Sequence, residues 1–539
     1  MSVTLTDILV ASVRRNPGTA FLLEGMGESQ RSTLTYEEFY RESEQLARSL
    51  VELGLGRGDR IALMAPNQPE WVVVFFAAAR IGAPVVTINP RYRGAELDYM
   101  LTQSGARFMA IGTRADDTDL LRLVQDTPEA FAGIERFIVL PDESQNVGDI
   151  DAIGRALAYS TLLEPSPGVE LDASPGPFDP ALILYTSGTT GRPKGAVITH
   201  ASIIASAQAQ AEHLGFDPRD VLIGHLPLNH VGGITCTIMA ALISGASVVL
   251  VRSFRADAVI KTMARHGVTI LAAVPTMYAL LFLSPEMDKG ELASVRMCVV
   301  GGSSVTLELY RQIAARFPNT SIINLYGLSE TSGACILSSL DDTFETVTST
   351  LGRTIGDFQA RIVDAQGALL DEGEVGELQI KGRCVADGYW DLVNETDETF
   401  KEDGWLATGD IAKVLPTGHL ALFGRKKEMY IQGGYNVYPA EVESEIANYP
   451  GVLLVAGIGV EDPILGEVGK YFIEREEGAM ISGSDLKGYL NQRIADYKIP
   501  KYIEFVDALP LTASGKVDKA FLKERESQRR LNRDEEDQR

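Results

Sequence analysis

The stretch "YTSGTTGRPKG", residues 185–195, crowds hydroxyl, glycine and cationic residues behind the apolar run "ALILY". Glycines such as Gly188 let a backbone come close to an anion. Thr186, Ser187, Thr189, Thr190 and Lys194 can donate hydrogen bonds to it. This combination predicts a phosphate-binding loop. It is not the Walker loop, whose lysine stands between a glycine and a Ser or Thr. Here Lys194 follows Pro193 and precedes Gly195. A second lysine in a glycine-bearing turn, Lys516 of "TASGKVDK", lies near the other end of the chain. A further glycine pair in "GGSS" follows the apolar strand "RMCVV", and Gly302 there would let the backbone border a bound group closely.

Placing such loops requires strands that end at them. Through the first 320 or so residues, apolar β-rich runs alternate with helical patterns: "RIALMAPN", then "QPEWVVVFFAAARIG", then "APVVTIN" is one such unit. Repeats of this length predict parallel sheets with helices on their faces, and ligands at the loops leaving the strand ends. From about residue 351 the texture changes. "ARIVDAQGALLDEGEVGELQIKG" alternates short strands with glycine turns, which predicts a small antiparallel unit. Beyond Lys427 a compact helix–strand–helix–strand pattern predicts a separate α+β domain. The tail "KERESQRRLNRDEEDQR" is charged throughout and predicts a solvated helix end or disorder. The expected fold is therefore α/β. A large N-terminal domain (1–426) combines parallel-rich sheets with a small β-barrel-like unit, and a small α+β domain (427–539) follows.

At 539 residues the chain is too long for one core. Its 73 acidic and 49 basic residues leave a net charge of −24. That balance argues against a nucleic-acid surface, which needs clustered cations, and against docking on anionic lipid. The four cysteines, at 236, 298, 335 and 384, show no metal or CxxC spacing and suit a reducing, cytoplasmic setting. The N-terminus lacks the pattern of a signal peptide. Residues 232–251 carry no charge over 20 positions. Glycines and a "SGAS" turn break this run, so it predicts a buried helix, a turn and a buried strand rather than a membrane span.

The loop at 185–195 resembles the signature of the adenylate-forming (AMP-binding) enzymes: acyl-CoA synthetases, carrier-protein adenylation domains and firefly-type luciferases. Other motifs of that superfamily follow in its order. They are "PLNHVGG" (227–233), "GGSSV" (301–305), "YGLSET" (326–331), "GELQIKG" (376–382), "GWLATGD" (404–410), "GRKKEMYIQGGYNVYPAEVE" (424–443) and "LPLTASGKVDK" (509–519). The likeness covers nearly the whole chain.

The resemblance implies roles. Tyr326 would stack on adenine. Ser329, where the family usually has Thr, would donate to a phosphate, and Glu330 would hold Mg²⁺ beside phosphate oxygens. Asp410 would accept from the ribose hydroxyls, with Arg425 as a second nucleotide contact. His230 would gate the carboxylate, and the glycines at 232, 233, 301, 302, 327 and 333 would leave room for an acyl chain. Lys516 would stabilise the charge that develops when a carboxylate attacks ATP. Lys194 would hold the leaving phosphates, and Lys519 would be a solvated neighbour at a helix start. In the family the small domain is mobile and turns between two half-reactions; Lys427 matches the pivot, and Gly434 would let the thiol of CoA pass. Gly469 and Lys470 depart from the apolar strand usual there. The implied activity is that of an acyl-CoA synthetase using ATP, Mg²⁺ and CoA on a carboxylic acid. A medium- or long-chain fatty acid is the first expectation, an aryl acid or a carrier-protein acceptor the alternative. Both monomers and homodimers occur in the family.

Overall fold

A computed structural model of the chain describes residues 3–25, 33–142, 146–148, 150–164, 168–171, 175–186, 192–289, 292–303, 305–476, 478–512 and 517–537. Two large sheets form its N-terminal body. In the seven-stranded sheet, the strands Pro180–Thr186, Val85–Thr87, Ile61–Met64, Phe108–Gly112, Arg136–Leu140 and Ala156–Ala158 run parallel, and Lys194–Thr199 closes one edge antiparallel. In the nine-stranded sheet, six parallel strands lie side by side, from Ala20–Glu24 at one end to Ser321–Leu328 at the other. Gly333–Leu337 then folds back antiparallel on Ser321–Leu328.

The helix Pro69–Arg80 shows how the sheets are joined. Every residue of it from Pro69 to Ala79 is buried. A helix apolar on all sides has no face for water and must be sandwiched. Its side chains share one core with Leu63, Leu182 and Leu184 of the first sheet and Leu222, Val248 and Ile270 of the second. Ile183 and Tyr185 alternate to the opposite face of their strand and join a second cluster. The uncharged stretch 232–251 is not a membrane span. It forms a buried π-turn, Ile234–Met239, then the helix Ala240–Ser244, a left-handed Gly245 and the strand Ser247–Leu250. No helix among the described residues is long and apolar enough to cross a membrane.

The antiparallel unit is a four-stranded sheet of Gln359–Val363, Gly376–Lys381, Trp405–Val414 and Leu420–Arg425. Its strands pair in chain order, each with the next. The small C-terminal domain holds a five-stranded mixed sheet centred on Gly466–Arg475.

The charged tail takes one of the two forms expected of it, the end of a helix, Lys519–Asp537, and the first part of that helix is tied to the sheet. Lys470 reaches Glu504 at 2.8 Å and Glu526 at 2.7 Å, so the departure at 469–470 anchors that helix to the sheet. Gly469 is required beside it, since a Cβ there would overlap the Tyr430 hydroxyl and the Tyr471 ring.

Candidate active site

The ends of the loop expected to bind phosphate are fixed by strand pairing. Thr186 and Lys194 face each other at the open end of the antiparallel pair Pro180–Thr186 and Lys194–Thr199, and Thr186 Oγ1 donates to the Lys194 carbonyl at 3.4 Å. Ser187, Gly188, Thr189 and Thr190 lie outside the described residues. The Lys194 side chain is buried, with its ammonium 5.1 Å from the centre of the Tyr389 ring.

Tyr389 is a residue the motif reading missed. Its hydroxyl donates to Glu330 Oε1 at 2.7 Å, so one side chain touches both the phosphate-loop lysine and the expected metal carboxylate. Burial, then the adjacent Glu330 carboxylate, pushes its phenol far above the usual tyrosine range, so it stays a donor. The "GYW" at 388–390 was visible in the sequence. Its partner is 59 positions away, which spacing alone does not reveal.

Glu330 sits in a 3₁₀ turn, Ser329–Thr331, at the end of Ser321–Leu328. The turn is closed by Thr331, whose hydroxyl accepts from the Leu328 N–H and donates to the Gly333 carbonyl. Ser332 follows with φ = 55°, a left-handed conformation uncommon outside glycine. That bend starts the return strand and fixes Ser329, buried, and Glu330 at the sheet's end.

Asp410 and Arg425 are direct partners across two antiparallel strands, and Arg425 Nε lies 2.6 Å from Asp410 Oδ1. The Tyr326 hydroxyl donates to Asp410 Oδ2 at 2.6 Å. Tyr326, Asp410 and Arg425 therefore form one unit, in which the large sheet and the four-stranded unit meet through a carboxylate only 3% exposed. Burial, then Asp410, raises the Tyr326 phenol well above its ordinary range.

His230 caps the helix that leads into the π-turn, and its Nδ1 accepts from the Gly232 N–H at 3.2 Å. Neutral imidazole in this arrangement carries its proton on Nε2. Three of the six glycines expected to leave room for an acyl chain have that space filled by backbone. A Cβ on Gly233, Gly301 or Gly327 would overlap the carbonyl of Pro227, Leu325 or Gly333, so these three serve close backbone packing. Gly302 differs: its φ is +83°, and a Cβ would meet only Val274 Cγ1, at 3.3 Å.

Lys427 follows the last strand of the four-stranded unit, Leu420–Arg425, by two residues. Partial burial and then the Lys194 ammonium lower the pKa of this exposed lysine. Gly434 stands in a two-glycine hairpin turn with φ = +88°, and a Cβ there would meet nothing within 4 Å. Lys516 lies outside the described residues. The base of its loop is held by a bridge between Leu511 and Val517. Lys519, just after, is not solvated: its ammonium is 2.8 Å from Glu443 and also pairs with Glu428, next to Lys427. Burial alone would lower its pKa, but the two carboxylates raise it.

The chain is similar to known proteins over most of its length. The family model described as AMP-binding enzyme matches residues 9–390, and its companion, AMP-binding enzyme C-terminal domain, matches 441–516. A feruloyl-CoA synthase of Amycolatopsis sp is 32% identical over 502 residues, spanning 92% of this chain and 94% of that protein. A mitochondrial medium-chain acyl-CoA ligase of Mus musculus is 31% identical over 549 residues, 98% of this chain and 88% of its own. The crystal structure of an anthranilate CoA ligase with anthranoyl-AMP superposes with a TM-score of 0.88 at 25% identity, covering 98% of both chains. The relatives differ in the acid they are named for and agree in the chemistry, so the chain belongs to the AMP-binding enzyme family as an AMP-forming acid–thiol ligase of the acyl-CoA synthetase kind.

Proposed function

We propose that the chain activates a medium- or long-chain fatty acid with ATP and passes the acyl group to CoA. The observation that carries this reading is the Tyr326–Asp410–Arg425 unit, a buried carboxylate beside an aromatic ring and a cation. Such a unit offers ribose hydroxyls an ionised acceptor and adenine a flat apolar face. The phosphates would then lie toward Glu330 and Lys194.

One oxygen of the fatty acid carboxylate attacks the α-phosphorus, the bond to the bridging oxygen breaks, and pyrophosphate leaves. Lys516 stabilises the charge that builds on the α-phosphate, and Lys194 holds the departing phosphates. Ser329 donates to a phosphate oxygen, and His230 borders the carboxylate. The thiol of CoA then attacks the acyl carbon, and AMP leaves. We place the domain boundary between 1–426 and 427–539, with Lys427 as pivot and Gly434 on the face that admits the thiol.

Glu330 suits Mg²⁺, which takes one or two carboxylates plus phosphate oxygens. Among the described residues no group of three or more His, Cys, Asp or Glu could hold a metal ion. When bound there, Mg²⁺ would neutralise phosphate charge as pyrophosphate leaves.

The preference for a fatty acid is supported by the segment after His230, which carries no charge from 231 to 251 and so offers no partner to a second carboxylate. An aryl acid is the second reading, favoured by the feruloyl-CoA synthase relative. Product mass spectrometry with ATP, Mg²⁺ and a panel of acids, with and without CoA, tests both. The expected products are a fatty acyl thioester and AMP, with adenylation falling roughly 10²–10³-fold in Lys516→Ala. Acyl-AMP without thioester despite added CoA would replace CoA with a carrier-protein acceptor. Turnover of aryl acids alone would overturn the fatty acid choice.

A further inference from the structure

The segment 386–390 is stitched into the site along both of its sides. The Ala386 N–H donates to the Glu330 carbonyl at 2.9 Å, and the Asp387 and Trp390 N–H groups donate to the Val197 and Gly195 carbonyls at 2.8 Å each. The Tyr389 N–H donates to Thr396 Oγ1 at 2.9 Å, and its ring meets Phe400 edge-on, with centres 5.3 Å apart. The backbone, the hydroxyl and the ring of this residue are therefore all fixed. Among the described residues, Tyr389 is the only hydrogen-bond donor to the Glu330 carboxylate.

We propose that Tyr389 is a positioning residue that couples the two halves of the phosphate site: its hydroxyl sets the Glu330 carboxylate for a metal ion, and its ring face holds the Lys194 ammonium. The proposal rests on the ATP-site reading above. A carboxylate that accepts a phenolic hydrogen bond on one oxygen loses its freedom to rotate and presents the other oxygen in a fixed direction. Partners of this sort around a metal ligand are typically worth 10- to 100-fold in metal affinity. The ring acts separately, because a cation over an aromatic face is attracted by the ring's quadrupole and does not need the hydroxyl.

The two actions come apart by substitution. Tyr389→Phe keeps the ring and removes the hydroxyl, whereas Tyr389→Leu removes both. Calorimetric titrations with ATP alone, in chelator, and with ATP plus Mg²⁺ read the two effects without any turnover. Tyr389→Phe is expected to bind metal-free ATP like the wild type and to lose about 10-fold of the affinity that Mg²⁺ adds. Tyr389→Leu is expected to lose that increment and also to weaken metal-free ATP, as Lys194 is released. If Tyr389→Leu does not fold, Tyr389→Phe decides alone. A Mg²⁺ increment in Tyr389→Phe equal to or larger than that of the wild type overturns the proposal while leaving the function intact. A wild-type protein that binds neither form of ATP overturns the nucleotide-site reading, and this assignment with it.

Discussion

Replacing Asp410 by Asn tests the nucleotide site with almost no change of shape. The wild-type carboxylate, 3% exposed, receives the Tyr326 hydroxyl on one oxygen and Arg425 Nε on the other. A carboxylate can accept about four hydrogen bonds. The amide turns one of its acceptor oxygens into a donor nitrogen, which then faces a donor, and a ribose hydroxyl on that side loses its acceptor. A hydrogen bond to an ionised group is worth about 1.5–3 kcal/mol, so ATP affinity should fall roughly 10- to 100-fold. The fold should suffer less. Arg425 has a side chain 48% exposed, and water takes over much of its lost pairing. Calorimetric ATP titration and thermal unfolding separate the two effects. Tyr326→Phe keeps the stacking face and should weaken ATP less than Asp410→Asn. The pair should couple in a double-mutant cycle, as contacting residues do. An Asp410→Asn protein that is folded and binds ATP as tightly as the wild type would remove Asp410 from the nucleotide site.

Lys519→Met leaves Glu428 and Glu443 facing each other with no cation between them. It should destabilise the protein by about 3 kcal/mol in urea unfolding, and adding Glu428→Gln should restore part of the loss. Gly301→Ala pushes a Cβ into the Leu325 carbonyl, next to Tyr326, so stability should fall by roughly 1–3 kcal/mol and ATP affinity should fall with it. His200 and His225 are both held near pKa 4 by burial, and neither ring nitrogen of His225 has a partner among the described residues. The unfolded chain takes up these protons first as pH drops below about 6.5. Stability is therefore lost between pH 6.5 and 4, by roughly 3 kcal/mol for each residue at most. His225→Leu should flatten the slope of urea midpoint against pH over that window; an unchanged slope would show that His225 already charges in the native state.

The parts of the site legible in the sequence are those whose chemistry is contiguous. "YGLSET" and "GWLATGD" each carry their residue types within ten or so positions, and the strand–helix–strand rhythm says where such loops must emerge. Tyr389, Lys519 and Lys470 were illegible for a different reason. Each acts through carboxylates far along the chain: Glu330 for Tyr389, Glu428 and Glu443 for Lys519, Glu504 and Glu526 for Lys470. A tyrosine or lysine read alone has no feature that distinguishes such a partner from solvent. The glycines fail in the opposite direction, because a missing side chain looks like space. Whether that space belongs to a ligand or to a neighbouring carbonyl depends on the other strand, and for Gly301 and Gly327 the carbonyl takes it. Gly302 shows the other outcome, because a Cβ there would meet only Val274 Cγ1 and no carbonyl fills the space.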